Sequence, residues 1–259
     1  MGKRNSSEIR VAPFARELAE DHAKVERLLR LVGCDGIDFG VFGNDDVYYT
    51  GNETNRKKKG EMALPPSKEH LKRLAALICA NAKANRFFKD AVEKSKKLSE
   101  KTKKMRLALA NNELTLQEIF GAIDDGEAWA ILEGASQPDL FIESDRAILV
   151  VEGKLTEPHL TSSTSYLQSR NQMLRHIQGA IEYNRRKRQN KRIVAFYIVP
   201  ESFAQIDEIG DRTRFDEVLK KESLPITDPA YAKEIASCYF GCTTWEAIQR
   251  EFGIRFPTE

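Results

Sequence analysis

Residues 137–154 read QPDLFIESDRAILVVEGK, and the fold turns on how this stretch is paired. Two apolar runs, PDLFIE (138–143) and RAILVVEG (146–153), flank a polar turn at Asp145 and Arg146. Runs of this length, bounded by turn residues, predict a β-hairpin. A two-residue turn at Asp145-Arg146 pairs Ser144 with Ala147, and counting outward sets Asp139 opposite Glu152. Directly opposed residues of an antiparallel pair have Cβ atoms about 4.5–5.5 Å apart, so two carboxylates there repel unless something positive sits between them. Lys154 lies two residues beyond Glu152 and projects to the same face. The expected constellation is two carboxylates and an amine at the end of a sheet, the donor set of a divalent-metal site with an adjacent base or charge stabiliser. A one-residue slip would send Asp139 to the opposite face.

Outward from the hairpin, the order of elements predicts an α/β fold around a mixed sheet. Upstream, ELTLQEIFGAI (113–123) reads as a helix and AWAILEGA (128–135) as a further strand. Downstream, a Ser/Thr-rich loop (156–165) leads to a helix, QSRNQMLRHIQGAIEYNRRKR (168–188), and then to a strand, RIVAFYIV (192–199), closed by Pro200. The end of the chain carries a helix at 243–253. The first part reads as mainly helical: a helix over 14–33, a short strand or hairpin and exposed loop over 38–66, a helix over 67–82 capped by Ser67, and a long polar helix from Asn85 to about Ala110. The expected division is a helical N-terminal region, 1–110, and an α/β core, 111–259.

With 259 residues, 41% hydrophobic, the chain is long enough for one large domain or two small ones. Its 41 Lys+Arg nearly balance 39 Asp+Glu, so local clusters rather than net charge must indicate partners. No run of about 18 apolar residues predicts a membrane span, and MGKRNSSEIR has no apolar segment of a secretory signal. Cys34, Cys79, Cys238 and Cys242 are scattered, which predicts reduced thiols and a cytoplasmic protein. Cys238 and Cys242 are four apart, but no second pair or suitably spaced His accompanies them as a metal site requires.

Pro138-Asp139, an apolar hairpin and then Glu152-Gly153-Lys154 resemble the PD-(D/E)XK nuclease superfamily, with its restriction-endonuclease-like core; the likeness covers roughly residues 111 to 200. The resemblance implies Mg²⁺- or Mn²⁺-dependent hydrolysis of phosphodiester bonds, with Asp139 and Glu152 holding the metal. Lys154 would orient or deprotonate the attacking water, or stabilise developing charge. A helix carboxylate often joins the metal shell in that family. Glu118 is the best-placed match, with Glu113 and Glu127 as alternatives. Some branches carry Gln-x-x-x-Tyr on the helix after the third strand. Here Gln178 and Tyr183 are five apart, which departs from that pattern, while Gln178 remains the expected site neighbour. Gln172 and His176 are four apart and share a helix face, which makes His176 a candidate accessory contact to phosphate or water.

The implied partner is nucleic acid, DNA above all, in defence, restriction or repair; many nucleases of this type act as homodimers to cut both strands. Two basic clusters suit phosphate: NRRKRQNKR (184–192), which contains Arg185, Arg186, Lys187, Arg188, Lys191 and Arg192, and the lysine-rich face between Lys94 and Arg106. Arg56 to Lys59 form a third run. Rival expectations are a nuclease-like protein that binds without cutting and a protein-interaction scaffold whose hairpin charges are structural.

Overall fold

The computed structural model describes residues 7–49, 61–155, 167, 170–204, 215–222 and 224–256. The Ser/Thr-rich loop and the Arg56–Lys59 run lie outside these. In the hairpin, β2 (Leu140–Glu143) pairs antiparallel with β3 (Ala147–Gly153), from Leu140 opposite Val151 to Glu143 opposite Ile148. The Ser144 amide donates to the Ala147 carbonyl at 2.9 Å. The Ser144 hydroxyl accepts from the amides of Arg146 and Ala147, at 3.2 and 2.8 Å, and so pins the turn. This register carries outward to set Asp139 opposite Glu152, as the two-residue turn predicts.

The hairpin is the centre of a five-stranded mixed sheet of order β1-β2-β3-β4-β5. β1 (Val47–Tyr49) joins β2 antiparallel, whereas β4 (Arg192–Val199) and β5 (Tyr239–Thr244) continue from β3 in parallel. Every residue of β3 is buried, as its unbroken apolar run requires of a strand covered on both faces. On one face Leu149, Val151, Phe196 and Ile198 pack against α1 (Ala12–Glu20), α2 (Ala23–Leu31) and α10 (Trp245–Phe252) through Phe14, Leu18, Leu28 and Trp245. On the other, Phe141, Val150 and Tyr197 meet Met173, Ile177 and Ile181 of α7 (Gln172–Arg186), with α8 (Phe215–Lys221) and α9 (Pro229–Cys238) beside it. Glu152 alternates with Val150 and therefore faces α7.

A second layer of helices carries its own hydrophobic cluster. It comprises α3 (Lys68–Ala80), α4 (Ala82–Lys94), α5 (Glu100–Ala110) and α6 (Leu116–Asp125), packed through Leu74, Ile78, Phe88, Leu109, Ile119 and Ile123 with Trp129. The helices thus enter between β1 and β2, and the clusters do not divide at residue 110. Val47–Tyr49 and the first two helices belong to the sheet, while the helical cluster runs through to Leu132.

Several predicted elements take a different form. Residues 128–135 are not a strand: Ala128–Ala130 make a short 3₁₀ turn, and Trp129, Ala130 and Leu132 turn into the helical cluster. The third antiparallel strand is Val47–Tyr49, remote in sequence. The helix expected over 14–33 breaks at Asp21-His22, where the Asp21 carboxylate accepts from the Ala23 amide at 3.1 Å and competes with helical pairing. The long polar helix splits because Ser99 caps a new start, accepting from the Thr102 amide at 3.2 Å. Cys238 ends α9 and Cys242 lies in β5, so they share no helix; all four cysteines are free thiols. Among the described residues no helix is long and apolar enough to cross a membrane.

Gly153 separates Glu152 from Lys154, and it leaves no room for a side chain. A Cβ there would stand 2.7 Å from Val11 Cγ2 and 3.0 Å from Trp245 Cζ2. Both neighbours are fully buried. Gly153→Ala is therefore expected to lower stability by about 1–3 kcal/mol, the usual range for overpacking a filled core. Urea unfolding of the two proteins checks this, and equal midpoints would remove the packing constraint.

Candidate active site

The end of β3 delivers three groups to one place. Asp139 precedes β2, and its Oδ2 accepts from the Gly153 amide at 2.9 Å. Glu152 points toward α7. Lys154 continues the strand, its amide donating to the Ile198 carbonyl at 2.8 Å, while its own carbonyl accepts from Trp245 Nε1 at 2.7 Å. Backbone bonds on both sides thus fix the Lys154 main chain. Its Nζ lies 3.1 Å from Glu152 Oε1 and 2.9 Å from Gln172 Oε1.

The other oxygen of Glu152 meets His176 Nε2 at 3.1 Å, and His176 Nδ1 lies 2.6 Å from Ser136 Oγ. A neutral ring satisfies both contacts, with Nε2–H donating to the carboxylate and Nδ1 accepting from the serine hydroxyl. Glu152, Lys154 and His176 are only 4%, 6% and 1% exposed. Burial alone would raise the Glu152 carboxyl, but His176 and Lys154 outweigh it and hold the group below its ordinary range. The line Ser136–His176–Glu152–Lys154–Gln172 is a continuous polar chain in which each member fixes the next.

Of the residues singled out from sequence, Asp139, Glu152, Lys154 and His176 come together. His176 is enclosed between Glu152 and Ser136 rather than presented at a surface. Gln178 is not part of the group: two positions are about 200° apart around a helix, so it points away from the side on which His176 meets Glu152. Gln178 is buried, and its Oε1 has no hydrogen-bond partner. Glu118 lies elsewhere, exposed at the start of α6. Its carboxylate closes a capping box, accepting from the amide and hydroxyl of Thr115 at 2.8 Å each. Gln172, on the face shared with His176, takes the place expected of Gln178. Ser136 gave no sequence signal.

The cluster at 185–192 stands at the other end of the sheet. Lys187 and Lys191 reach Glu143, beside the hairpin turn. Glu143 pairs with Ile148, four residues or about 13 Å along β3 from Glu152.

A second buried network, missed in the sequence, anchors the start of α7. Arg170 grips Glu133 with two bonds, Nε to Oε1 at 3.1 Å and Nη2 to Oε2 at 3.0 Å. Arg175 Nε lies 3.6 Å from Glu133 Oε1, and His70 Nε2 of α3 lies 3.3 Å from Oε2. Glu222 accepts from the amide of Asn171, the N-cap of α7, at 2.6 Å. Burial raises the Glu222 carboxyl, with Arg170 opposing.

Asp139 and Glu152 offer hard oxygen donors. An ionised carboxylate has about four lone-pair sites, and Glu152 uses one on each oxygen. Among the described residues no group of three or more His, Cys, Asp or Glu is arranged to hold a metal. Mg²⁺ is commonly bound by one or two carboxylates, with water and substrate phosphate completing the shell.

The Glu133 network makes stability depend on pH. Burial lowers His70 to about 4, with the charge of Arg170 acting in the same direction. Burial pushes Glu133 up, but His70 and Arg170 overcome this and hold it far below the ordinary carboxylate range. Between pH 6.5 and about 4 the unfolded chain binds a proton at His70 that the folded chain refuses, so stability falls as pH falls. Below the ordinary carboxylate range Glu133 adds to the loss. Urea midpoints at pH 7, 6 and 5 are expected to decline, and His70→Asn is expected to flatten that decline. An unchanged slope in the variant would assign the pH dependence elsewhere.

No protein-family model, curated protein or solved structure matches the chain.

Proposed function

We propose that the chain is a metal-dependent nuclease that hydrolyses phosphodiester bonds of DNA in defence, restriction or repair. The observation that carries this reading is the hairpin register, which sets Asp139 opposite Glu152 with Lys154 Nζ 3.1 Å from Glu152 Oε1. Two carboxylates and one amine, fixed at a strand end, form a donor set suited to a divalent cation and a phosphate together. The sheet supports the same reading in part, because β2, β3, α7 and β4 follow one another as the motif implies, while the place of the strand expected at 128–135 is taken by Val47–Tyr49.

Asp139 and Glu152 would hold Mg²⁺ or Mn²⁺. The bound ion would polarise the phosphodiester and acidify a water. Lys154 supplies a positive charge and up to three N–H donors. With Gln172 holding its Nζ, it is positioned to offset charge that develops on phosphoryl oxygens. His176 keeps Glu152 ionised and oriented, and Ser136 keeps the imidazole turned toward it. Trp245 and the β4 backbone stop Lys154 from moving away from the strand end.

Purified protein incubated with supercoiled plasmid, linear duplex, single-stranded DNA and RNA is expected to cut DNA in Mg²⁺ or Mn²⁺ and to be silent in EDTA. Lys154→Ala and Asp139→Asn, shown to be folded by thermal melting, are expected to lose about 10²-fold or more in rate, the scale of removing a group that stabilises charge in a transition state. Binding without cutting in wild type would favour a non-cutting nucleic-acid-binding protein. Absence of both metal binding and DNA binding would return the hairpin charges to a structural role and favour an interaction scaffold.

A further inference from the structure

The two described basic clusters meet opposite fates. At the turn between α7 and β4, four of the six cations pair with three carboxylates, and Arg188 is exposed without an ion pair among the described residues. Lys187 and Lys191 lie 3.1 and 2.7 Å from the two oxygens of Glu143. Arg186 pairs with Glu182 at 2.8 Å and Arg185 with Glu234 at 2.7 Å. Arg192 donates to the Ser237 carbonyl and lies over the Phe240 ring.

The edge built from the end of α4, its linker and α5 keeps its charge. Between residues 94 and 106 stand seven cations, Lys94, Lys96, Lys97, Lys101, Lys103, Lys104 and Arg106, against the single carboxylate Glu100. Lys103 takes Glu100 at 3.3 Å, and Lys94 lies 3.8 Å from Asp90. Lys96, Lys97, Lys101 and Lys104 are exposed, with no ion pair among the described residues. Lys101 and Lys103 stand in the first turn of α5, where the helix dipole disfavours cations, with Glu100 beside them.

This edge is tied to the 129–134 stretch. Ser95, Leu98 and Arg106 line one pocket together with Ile131 and Glu133. Arg106 Nε donates to the Trp129 carbonyl at 2.9 Å and so fastens α5 to that stretch. Arg175 of α7 reaches the same Glu133, and a few residues on Ser136 holds His176. The α7–β4 cluster sits at the turn end of the hairpin, four residues along β3 from Glu152.

We propose that the Lys94–Arg106 edge holds the phosphate backbone of a nucleic acid whose scissile bond lies at Glu152 and Lys154, and that the more conspicuous cluster at 185–192 is structural. The inference rests on the nuclease reading for the position of the scissile bond, and on charge alone for the surface. Exposed lysines act as mobile point charges, so the contacts are to phosphate and are independent of sequence.

The test is fluorescence anisotropy of a labelled DNA duplex in EDTA, from 50 to 200 mM salt. The variants are Lys96→Ala/Lys97→Ala/Lys101→Ala/Lys104→Ala, and Lys187→Ala/Arg188→Ala for comparison. The quadruple variant is expected to bind at least about tenfold more weakly, with a plot of log Kd against log salt shallower by about 2 to 4, since each lost phosphate contact removes about 0.9. The comparison variant is expected to stay within about twofold of wild type, a change too small for a lost counterion-releasing contact. Unchanged affinity and slope in the quadruple variant, or no DNA binding by wild type, would overturn the assignment. Equal binding of polyglutamate by wild type would overturn it as well, by making the edge a general polyanion surface. Lysine-dependent binding without cleavage in Mg²⁺ would remove the nuclease reading and keep the surface; cleavage with lysine-independent binding would do the reverse.

Discussion

A carboxylate buried in a β-sheet must be compensated, and the compensation of Glu152 organises its surroundings. It lies on a strand with every residue buried, on the face covered by α7. An ionised group left alone there would be strongly destabilising, whereas one with a cation and full hydrogen bonding is tolerated. Lys154 and His176 supply that compensation from two directions. Each in turn needs its own support, which Gln172 and Ser136 give. The polar chain therefore extends from the 136 loop to the end of β3 because one charge at its middle has to be satisfied.

Keeping such a group is costly compared with an apolar residue of similar size, so its presence calls for a use. The same argument does not extend to Glu143. That carboxylate is also mostly enclosed and also draws cations, Lys187 and Lys191, with the Tyr183 hydroxyl donating to it. Burial raises it, but these partners hold it below its ordinary range. It sits beside a turn, however, and its partners are long side chains whose amines are near water. The difference between the two glutamates is geometric. Glu152 faces a second carboxylate across the strands, Asp139, which the Gly153 amide holds in place, whereas Glu143 pairs with the apolar Ile148.

How much of this was legible in the sequence follows from which distances are short along the chain. The hairpin register needed only a two-residue turn and the period of a strand, and both are local, so Asp139 opposite Glu152 could be counted out. The faces of α7 were partly legible too. Gln172 and His176 share a face by spacing alone, and that spacing described the site better than the family pattern that drew attention to Gln178. The edge strand Val47–Tyr49 fell within the stretch read as a short strand or hairpin, but its pairing with β2 was hidden because that partner lies beyond the whole helical layer. Residues 128–135 misled because apolar residues in a short run pack equally well against helices. The ion pairs of the cluster at 185–192 were not legible: a run of basic residues is visible as composition, but Glu143, Glu182 and Glu234, which pair with four of its six cations, come from three separate parts of the chain.

The helical layer is more than an appendage to the sheet. Glu133 follows its last turn, and its carboxylate joins His70 of α3 to Arg170 and Arg175 at the start of α7. Glu222 completes the clamp by binding the amide of Asn171, one residue before Gln172. The first two turns of α7 carry both residues that fix the Lys154–Glu152 pair. Any movement of the helical layer against the sheet must therefore either break a bidentate arginine–carboxylate pair in a dry interior or shift Gln172 and His176 with it. Breaking such a pair costs about 3–5 kcal/mol, a large fraction of the stability of a typical domain. The helical layer and the strand end that carries Glu152 are thus joined through Glu133 and the start of α7.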